Sequence, residues 1–143
     1  MVDCPLCEDP SKGMALIAEL SITRAYLQPS ASFRGYCILV LKRHAVEIDD
    51  LSLQERSSLM EDVARVAHAI RAVCRPAKLN YEILGNVVPH IHVHIIPRYT
   101  ADPTWDRAAW FAFPDEKPLP ENEYSALAKA IRRATKPANI PSP

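Results

Sequence analysis

The sequence lacks any apolar run of the roughly 18 to 20 residues that a membrane-spanning helix needs. It also lacks an excess of charge, because seventeen Lys and Arg residues balance seventeen Asp and Glu residues. A general binder of nucleic acid or of anionic membranes usually shows a basic excess. The first ten residues, MVDCPLCEDP, have neither the basic start nor the apolar segment of a signal peptide. We therefore expect a cytoplasmic protein that binds neither membranes nor nucleic acid.

Cysteine is also scarce. The four cysteines are Cys4, Cys7, Cys37 and Cys74. Without a secretion signal, we expect them to be reduced thiols or metal ligands rather than a disulfide framework. The chain of 143 residues has the size of one domain. We expect a single domain over residues 1–143, with a CxxC segment at 1–12 and a carboxyl-terminal tail at 135–143.

The clearest predicted element is a helix over residues 52–74. Ser52 and Glu55 have the spacing of a capping box, and Pro76 follows the last turn. One face carries an apolar stripe with the three-to-four-residue period of a buried helix. The stripe consists of Leu59, Met60, Val63, Val66, Ala67, Ile70, Val73 and Cys74. His68 lies beside the stripe, and we expect it to be a surface residue.

Five segments are β-branched or alternate as strands do, and we expect strands at 14–20, 22–28, 33–43, 80–85 and 90–98. The last two are joined by a short connection that turns at Gly85, which is typical of an antiparallel pair. A shorter helix in ENEYSALAKAIRRAT directs Tyr124, Leu127, Ala128 and Ile131 inward. These elements predict an α+β fold with a mainly antiparallel five-stranded sheet, one long helix and one short helix.

The segment PHIHVHIIPR, residues 89–98, holds three of the five histidines, at His90, His92 and His94. Side chains alternate along a strand, so we expect the three imidazoles on one face and the apolar residues between them on the core. The Cα atoms of the outer two would be about 13 Å apart, too far for one metal to be shared easily. The pattern favours nucleophilic catalysis, because neutral imidazole, with an ordinary pKa of about 6.5, attacks phosphorus.

At HIHVHII the chain resembles the histidine triad (HIT) family, whose signature is His-φ-His-φ-His-φ-φ with φ apolar. The resemblance continues in LVLKRHAVEIDDLSLQE, in LNYEILGNVVPHIHVHIIPRY and in DPTWDRAAW, and covers roughly residues 33–110. It implies a HIT-like fold, a homodimer and no organic cofactor. It also implies a nucleotide hydrolase or transferase that acts on the α-phosphate of dinucleoside polyphosphates or nucleoside phosphoramidates, with adenine or another purine as the base.

The resemblance also implies roles for individual residues. His92 would be the nucleophile and form a nucleotidyl-histidine that water then cleaves. His94 would contact phosphate oxygens and assist the leaving group, while His90 would orient the site. Asn80 and Asn86 match positions that hydrogen-bond ribose or phosphate in the family. We therefore expect catalysis by the three histidines, and nucleotide binding by His94 and the two asparagines.

The CPLC segment has three readings: a redox pair, a zinc site or two idle thiols. A zinc ion needs two further ligands, and Cys37 and Cys74 lie in segments that we expect to be core. Some bacterial HIT proteins pair an amino-terminal CxxC with a histidine in the turn after a strand and with the first triad histidine. The resemblance therefore implies a structural zinc site at Cys4, Cys7, His44 and His90.

Two other functions fit the same residues. The first is a regulatory module that binds purine nucleotides without turning them over, since Val87 stands where many HIT proteins have a small hydroxyl residue. The second is a zinc-stabilised interaction protein. In the loop after the triad, Trp105 and Trp110 either anchor the loop to the domain or shape the leaving-group side of the site. Arg98 either contacts phosphate or forms an exposed ion pair.

Overall fold

The computed structural model describes residues 3–109 and 116–135. Its centre is one antiparallel sheet with the strand order β1-β2-β3-β5-β4. The strands are β1 (Ala15–Glu19), β2 (Thr23–Leu27), β3 (Cys37–Leu41), β4 (Lys78–Glu82) and β5 (His92–Arg98). The helices are α1 (Pro5–Glu8), α2 (Leu53–Cys74) and α3 (Glu121–Thr135), with a 3-10 turn at Ile48–Asp50. The predicted α+β fold is confirmed, and α1 is an addition within a segment expected to be loop.

Helix α2 begins and ends where its sequence predicts. The Ser52 side chain accepts a hydrogen bond from the Glu55 N–H, and the Glu55 carboxylate accepts one from the Ser52 N–H. This reciprocal pair satisfies backbone donors that the first turn leaves without partners. At the other end Arg75 adopts a left-handed conformation with φ of 49°, and its N–H donates to the Arg71 carbonyl. Pro76 follows, where a helix cannot continue.

The predicted buried stripe of α2 includes one residue that is in fact exposed. Met60 is 60 % exposed, while Asp62 is buried. The Asp62 carboxylate accepts hydrogen bonds from the N–H groups of Ser21, Ile22 and Thr23 and from the Thr23 hydroxyl. It therefore fixes the turn between β1 and β2 to the middle of α2. Helical periodicity does not reveal this contact, because its partners are about 40 residues away along the chain.

Replacing Asp62 with alanine is expected to destabilise the fold by about 2 to 4 kcal/mol, because three N–H groups and a hydroxyl lose their acceptor together, and the two donors of Thr23 among them are buried. Urea unfolding followed by circular dichroism measures the change. Glu61→Ala is the matched control, since Glu61 is the exposed neighbour on the same helix and its replacement should cost under about 0.5 kcal/mol. Equal stability of the two variants would contradict the role given to Asp62.

The two faces of the sheet bury different residues. Cys37 and Leu39 of β3, with Val93 and Ile95 of β5, pack into the main core together with α2 and α3. The alternate residues of the same strands point the other way and join a second cluster that includes Cys4 and Phe33. Because side chains alternate along a strand, His92 and His94 point to the second face, away from α2. The helix face gives the domain its core, and the opposite face holds the chemically active side chains.

Several strand boundaries differ from the prediction. β3 begins at Cys37 rather than 33, because Gly35 turns the chain with φ of 97°. A Cβ at Gly35 would lie 2.6 Å from the Cys74 sulfur, so this approach to α2 admits only glycine. β5 begins at His92, so His90 precedes the strand rather than starting it. The connection from β4 spans residues 83–91, longer than the tight hairpin that was expected.

Helix α3 packs through the residues that were predicted to face inward. Leu127, Ala128 and Ile131 are buried, and the Tyr124 hydroxyl donates to the Leu27 carbonyl and accepts from the Ala15 N–H. These two bonds tie α3 to β1 and β2. The helix ends at Thr135, the last residue of the segment predicted as helix, so the predicted tail from 135 starts one residue too early; residues 136–143 lie outside the described residues. Within the described residues, no helix is both long and apolar enough to traverse a bilayer.

Candidate functional site

His92 stands at the start of β5 with one ring nitrogen held by the backbone. Its Nδ1 lies 2.6 Å from the carbonyl oxygen of His90. A carbonyl oxygen only accepts hydrogen bonds, so Nδ1 carries the proton and donates it. In the neutral ring, Nε2 then keeps an in-plane lone pair. This is the tautomer that a nucleophilic imidazole needs.

His94 follows two residues later on the same face, and its ring centroid lies 4.9 Å from that of His92. Its Nδ1 lies 2.6 Å from the hydroxyl oxygen of Tyr36. Burial, with a smaller contribution from the charge of His92, lowers the pKa of His94 to about 4. Burial raises the pKa of Tyr36, so the phenol keeps its proton. With Tyr36 donating to Nδ1, a neutral His94 carries its own proton on Nε2.

His94 is expected to remain neutral at every pH above about 5, because its pKa lies below the ordinary 6.5. Between pH 6.5 and 4 the unfolded chain binds a proton at this position that the folded chain does not. Acidification through this window therefore destabilises the fold. Imidazole nitrogen shifts in a nuclear magnetic resonance titration report the protonation state directly. Protonation of His94 close to pH 6.5 would contradict the lowered pKa of this histidine.

A cavity of about 600 Å³ lies beside His94. Its walls are mostly apolar, with Phe33, Tyr36 and Ile38 on one side, and Gln28 and Glu116 add polar groups. Volumes between about 300 and 1,000 Å³ are typical of small-molecule sites. The cavity therefore has room for a nucleoside beside His94.

The third histidine of the triad belongs to a different site. His90 is 1 % exposed, and its Nδ1 lies 3.4 Å from the Cys4 sulfur and 3.5 Å from the Cys7 sulfur. The His44 Nδ1 is also 3.5 Å from the Cys7 sulfur. All four ligand atoms lie within 4.8 Å of one another. Ile91 lies in the main core with Val93 and Ile95, as the predicted alternation requires, but the His90 ring contacts the cysteines rather than the pair formed by His92 and His94.

Helix α1 explains how the CxxC segment presents both sulfurs. Pro5 occupies the start of this four-residue helix, and the Cys7 N–H donates to the Cys4 carbonyl at 2.9 Å. One turn therefore separates the two cysteines and leaves both directed toward His90. On the other side of the His90 ring, Nε2 donates to the Leu41 carbonyl at 2.8 Å. This bond leaves the Nδ1 lone pair aimed at the sulfurs.

The dimensions of this cluster fit a tetrahedral zinc ion. Zn–S bonds of about 2.3 Å and Zn–N bonds of about 2.0 to 2.1 Å imply sulfur-to-nitrogen separations of about 3.6 Å. The three sulfur-to-nitrogen distances of 3.4 to 3.5 Å match that value. The Leu41 carbonyl supplies the outer hydrogen bond that commonly orients a metal-binding histidine. The predicted ligand set is therefore brought together with suitable geometry.

The two asparagines expected to bind nucleotide lie apart from each other. The Asn80 side-chain oxygen accepts a hydrogen bond of 2.6 Å from Arg98. Asn86 is exposed in the connection between β4 and β5, next to Val87, whose side chain is in solvent. Trp105 borders an open cavity along β4, while Trp110 lies outside the described residues.

Arg98 forms an ion pair, as one of its two sequence readings predicts, but the pair is buried rather than exposed. Arg98 is 1 % exposed, and its guanidinium forms an ion pair with Asp102 and donates to the carbonyls of Thr104 and Arg107. It holds the loop after β5 against the second face of the sheet. The spacing of Arg98 and Asp102, four residues apart, is the signal that could have indicated this pair.

Comparison with known proteins identifies relatives of this chain. The family profile called HIT domain matches residues 12–101. The chain is 26% identical over 122 residues to the adenosine 5'-monophosphoramidase hnt1 of Schizosaccharomyces pombe, covering 80% of this chain and 84% of that protein. It is 28% identical over 95 residues to the asymmetrical bis(5'-nucleosyl)-tetraphosphatase of the same organism, covering 63% of this chain. The chain spans about half of that tetraphosphatase, 52% of its length.

Solved structures share the fold. A histidine triad protein from Bradyrhizobium japonicum superimposes with a TM-score of 0.79 and 32% identity, over 94% of this chain and 97% of that one. A Zn-bound histidine triad family protein from Mycobacterium smegmatis gives a TM-score of 0.63 at 24% identity, over 93% of each chain. With the profile covering more than half of its length, the chain belongs to the HIT domain family.

Proposed function

We propose that the protein is a nucleotide hydrolase or transferase in which His92 attacks the α-phosphate. The observation that carries the proposal is the bond from His92 Nδ1 to the His90 carbonyl, which leaves Nε2 as a nucleophile. His94 and the adjoining cavity place a phosphate-binding group and room for a nucleoside beside it. Relatives named as a tetraphosphatase and a monophosphoramidase support nucleotide chemistry in general.

The reaction has two displacements at phosphorus. In the first, the His92 Nε2 lone pair forms a bond to the α-phosphorus, while the bond to the leaving group breaks. The leaving group keeps that electron pair and takes a proton from solvent. In the second, a water oxygen bonds to phosphorus, the bond from phosphorus to Nε2 breaks, and the water releases its proton. Splitting one displacement into two is the general advantage of a covalent intermediate.

Other side chains bind the phosphate and the nucleoside in this scheme. Neutral His94 donates its Nε2–H to a phosphate oxygen, where a preorganised donor stabilises the charge that develops. Tyr36 keeps that proton on Nε2 through its bond to Nδ1. Asn86 approaches the phosphate from the exposed connection, and Asn80 offers ribose its amide N–H groups, because its oxygen is held by Arg98. The base, a purine, occupies the cavity beside His94.

We also propose that a structural zinc ion binds Cys4, Cys7, His44 and His90. The geometry of the cluster and the name of the Zn-bound relative support it. When bound, zinc would supply a fixed crosslink between the amino-terminal segment and the body of the domain. The protein's own residues orient the nucleophile, because the backbone carbonyl of His90 accepts the hydrogen bond from His92 Nδ1.

A homodimer is the third part of the proposal. Strand β4 is an edge of the sheet, and exposed Met60, Tyr81 and Ile83 surround an apolar groove of about 200 Å³ between it and α2. A second copy of the chain would cover both the edge and the groove. Tyr81→Asp is expected to yield monomers in analytical ultracentrifugation, whereas Leu16→Asp, at the opposite edge, should leave dimers. A monomeric wild type would contradict the proposal.

A substrate screen tests the proposed activity. Release of AMP from an adenosine phosphoramidate and from diadenosine tetraphosphate is followed by chromatography, and AMP binding is measured separately by calorimetry. Catalytic turnover that disappears in His92→Ala supports the proposal. Binding of AMP without any turnover would favour the regulatory nucleotide-binding module, and absence of both would favour the zinc-stabilised interaction protein.

A further inference from the structure

Glu82 lies beside the proposed catalytic histidines and has no part in the mechanism above. It is the last residue of β4 and stands directly opposite His94 of β5. Residues opposite each other in an antiparallel pair point to the same face, with Cβ atoms about 4.5 to 5.5 Å apart. Its negative charge also contributes, after burial, to the raised pKa of Tyr36. Glu82 therefore faces the pair formed by His94 and Tyr36.

One oxygen of the Glu82 carboxylate lacks a donor. Its Oε2 is buried and receives no hydrogen bond within the described part of the chain. The Arg98 guanidinium is engaged by Asp102 and Asn80, and the Lys78 ammonium donates to the Leu79 carbonyl. Burial raises the pKa of Glu82, against the opposing charge of Arg98. A buried oxygen without a donor is costly to leave unpaired. Because the Glu82 side chain lines the cavity along β4, a ligand in that cavity that brings an N–H group to the carboxylate would be favoured.

The cavity along β4 has room for the rest of such a ligand. It measures about 450 Å³, is open to solvent and runs between Glu82 and Trp105. Of its basic residues, Lys78 stands opposite Arg98, about 13 Å along the strand from Glu82. The Arg107 backbone also lies at that end, because its carbonyl accepts a hydrogen bond from Arg98. The charged group of this cavity closest to His94 along the strand is therefore a carboxylate.

We infer that Glu82 selects nucleotides whose leaving group is an amine, and so favours nucleoside phosphoramidates over dinucleoside polyphosphates. The inference rests on the proposed function. The nitrogen of a phosphoramidate carries an N–H that can donate a hydrogen bond to the Glu82 carboxylate. The substituent on that nitrogen extends toward Trp105. A polyphosphate leaving group presents only negatively charged acceptor oxygens. Those oxygens would face the carboxylate and be repelled by it.

The test compares kcat/KM of the full-length protein for adenosine 5'-phosphoramidate and for diadenosine tetraphosphate. The wild type should prefer the phosphoramidate. Glu82→Gln should reduce that preference about 10- to 100-fold, the usual cost of losing a hydrogen bond to a charged group. Turnover of the tetraphosphate should be unchanged or faster. Glu61→Gln, an exposed change on α2, is the control and should leave the ratio of the two kcat/KM values unchanged. Glu82→Leu replaces Glu82→Gln in the test if the glutamine variant misfolds.

The ratio of the two rates separates selection from a structural role. An unchanged ratio in the Glu82 variants, with both activities kept or both reduced equally, would overturn the inference while leaving the proposed function standing. A wild type that turns over neither substrate, and is indistinguishable from His92→Ala, would overturn both.

Discussion

Replacing His92 with alanine is expected to lower kcat for AMP release by about 10³-fold or more, because removing a nucleophile removes the covalent route itself. His92 is part-buried at the start of β5, outside the main core, and its ring contacts that of His94. The fold should therefore survive the change. Steady-state assays give the loss, and circular dichroism with thermal unfolding checks that the variant is folded.

His68→Ala is the matched control for this variant. His68 is exposed on α2, on the opposite side of the sheet from His92, and its removal should leave kcat unchanged. A His92→Ala protein that is folded and retains more than about a tenth of wild-type turnover would be incompatible with a covalent mechanism of this kind.

The second large effect is expected at the metal cluster. Purified wild type should contain one zinc ion per chain, and Cys4→Ser should contain almost none. At a free zinc concentration a thousand times its Kd, binding stabilises a fold by about 4 kcal/mol. For a chain of 143 residues this corresponds to a Tm difference of roughly 10 °C. Elemental analysis and thermal unfolding, with and without a strong chelator, measure both quantities.

Cys74→Ser supplies the control for zinc content, because Cys74 lies on α2 outside the cluster. It should bind zinc as the wild type does. The chelated protein should also lose part of its turnover, since His90 positions the nucleophile through its carbonyl. Wild-type protein that is purified without zinc, takes none up and melts at the same temperature after chelation would contradict the zinc proposal.

Local sequence patterns predicted the parts of this fold that depend on neighbours along the chain. The capping box of Ser52 and Glu55 formed as expected, since both partners lie in one turn. The alternation in β5 put Val93 and Ile95 into the core and His92 on the other face. The four residues of the metal cluster were identified through the family resemblance, because spacing alone left Cys4 and Cys7 with several readings.

What the sequence could not predict involves partners that are distant along the chain. Asp62 stands within an apolar stripe, and only folding brings its backbone donors from the turn before β2 to it. Arg98 was expected to contact phosphate or to form an exposed ion pair, yet it is buried among four acceptors, one on β4 and three in the loop after β5. The His90 ring contacts cysteines more than 80 residues away along the chain, a contact that alternation along β5 does not reveal.

The most direct test of the central claim is intact-protein mass spectrometry after brief mixing with an adenosine phosphoramidate and a quench without acid, which would cleave a phosphoramidate bond. Wild-type protein should gain the mass of one adenylyl group, and His92→Ala should gain none. No adduct on the wild type, while AMP is being released, would contradict a nucleotidyl-histidine at His92.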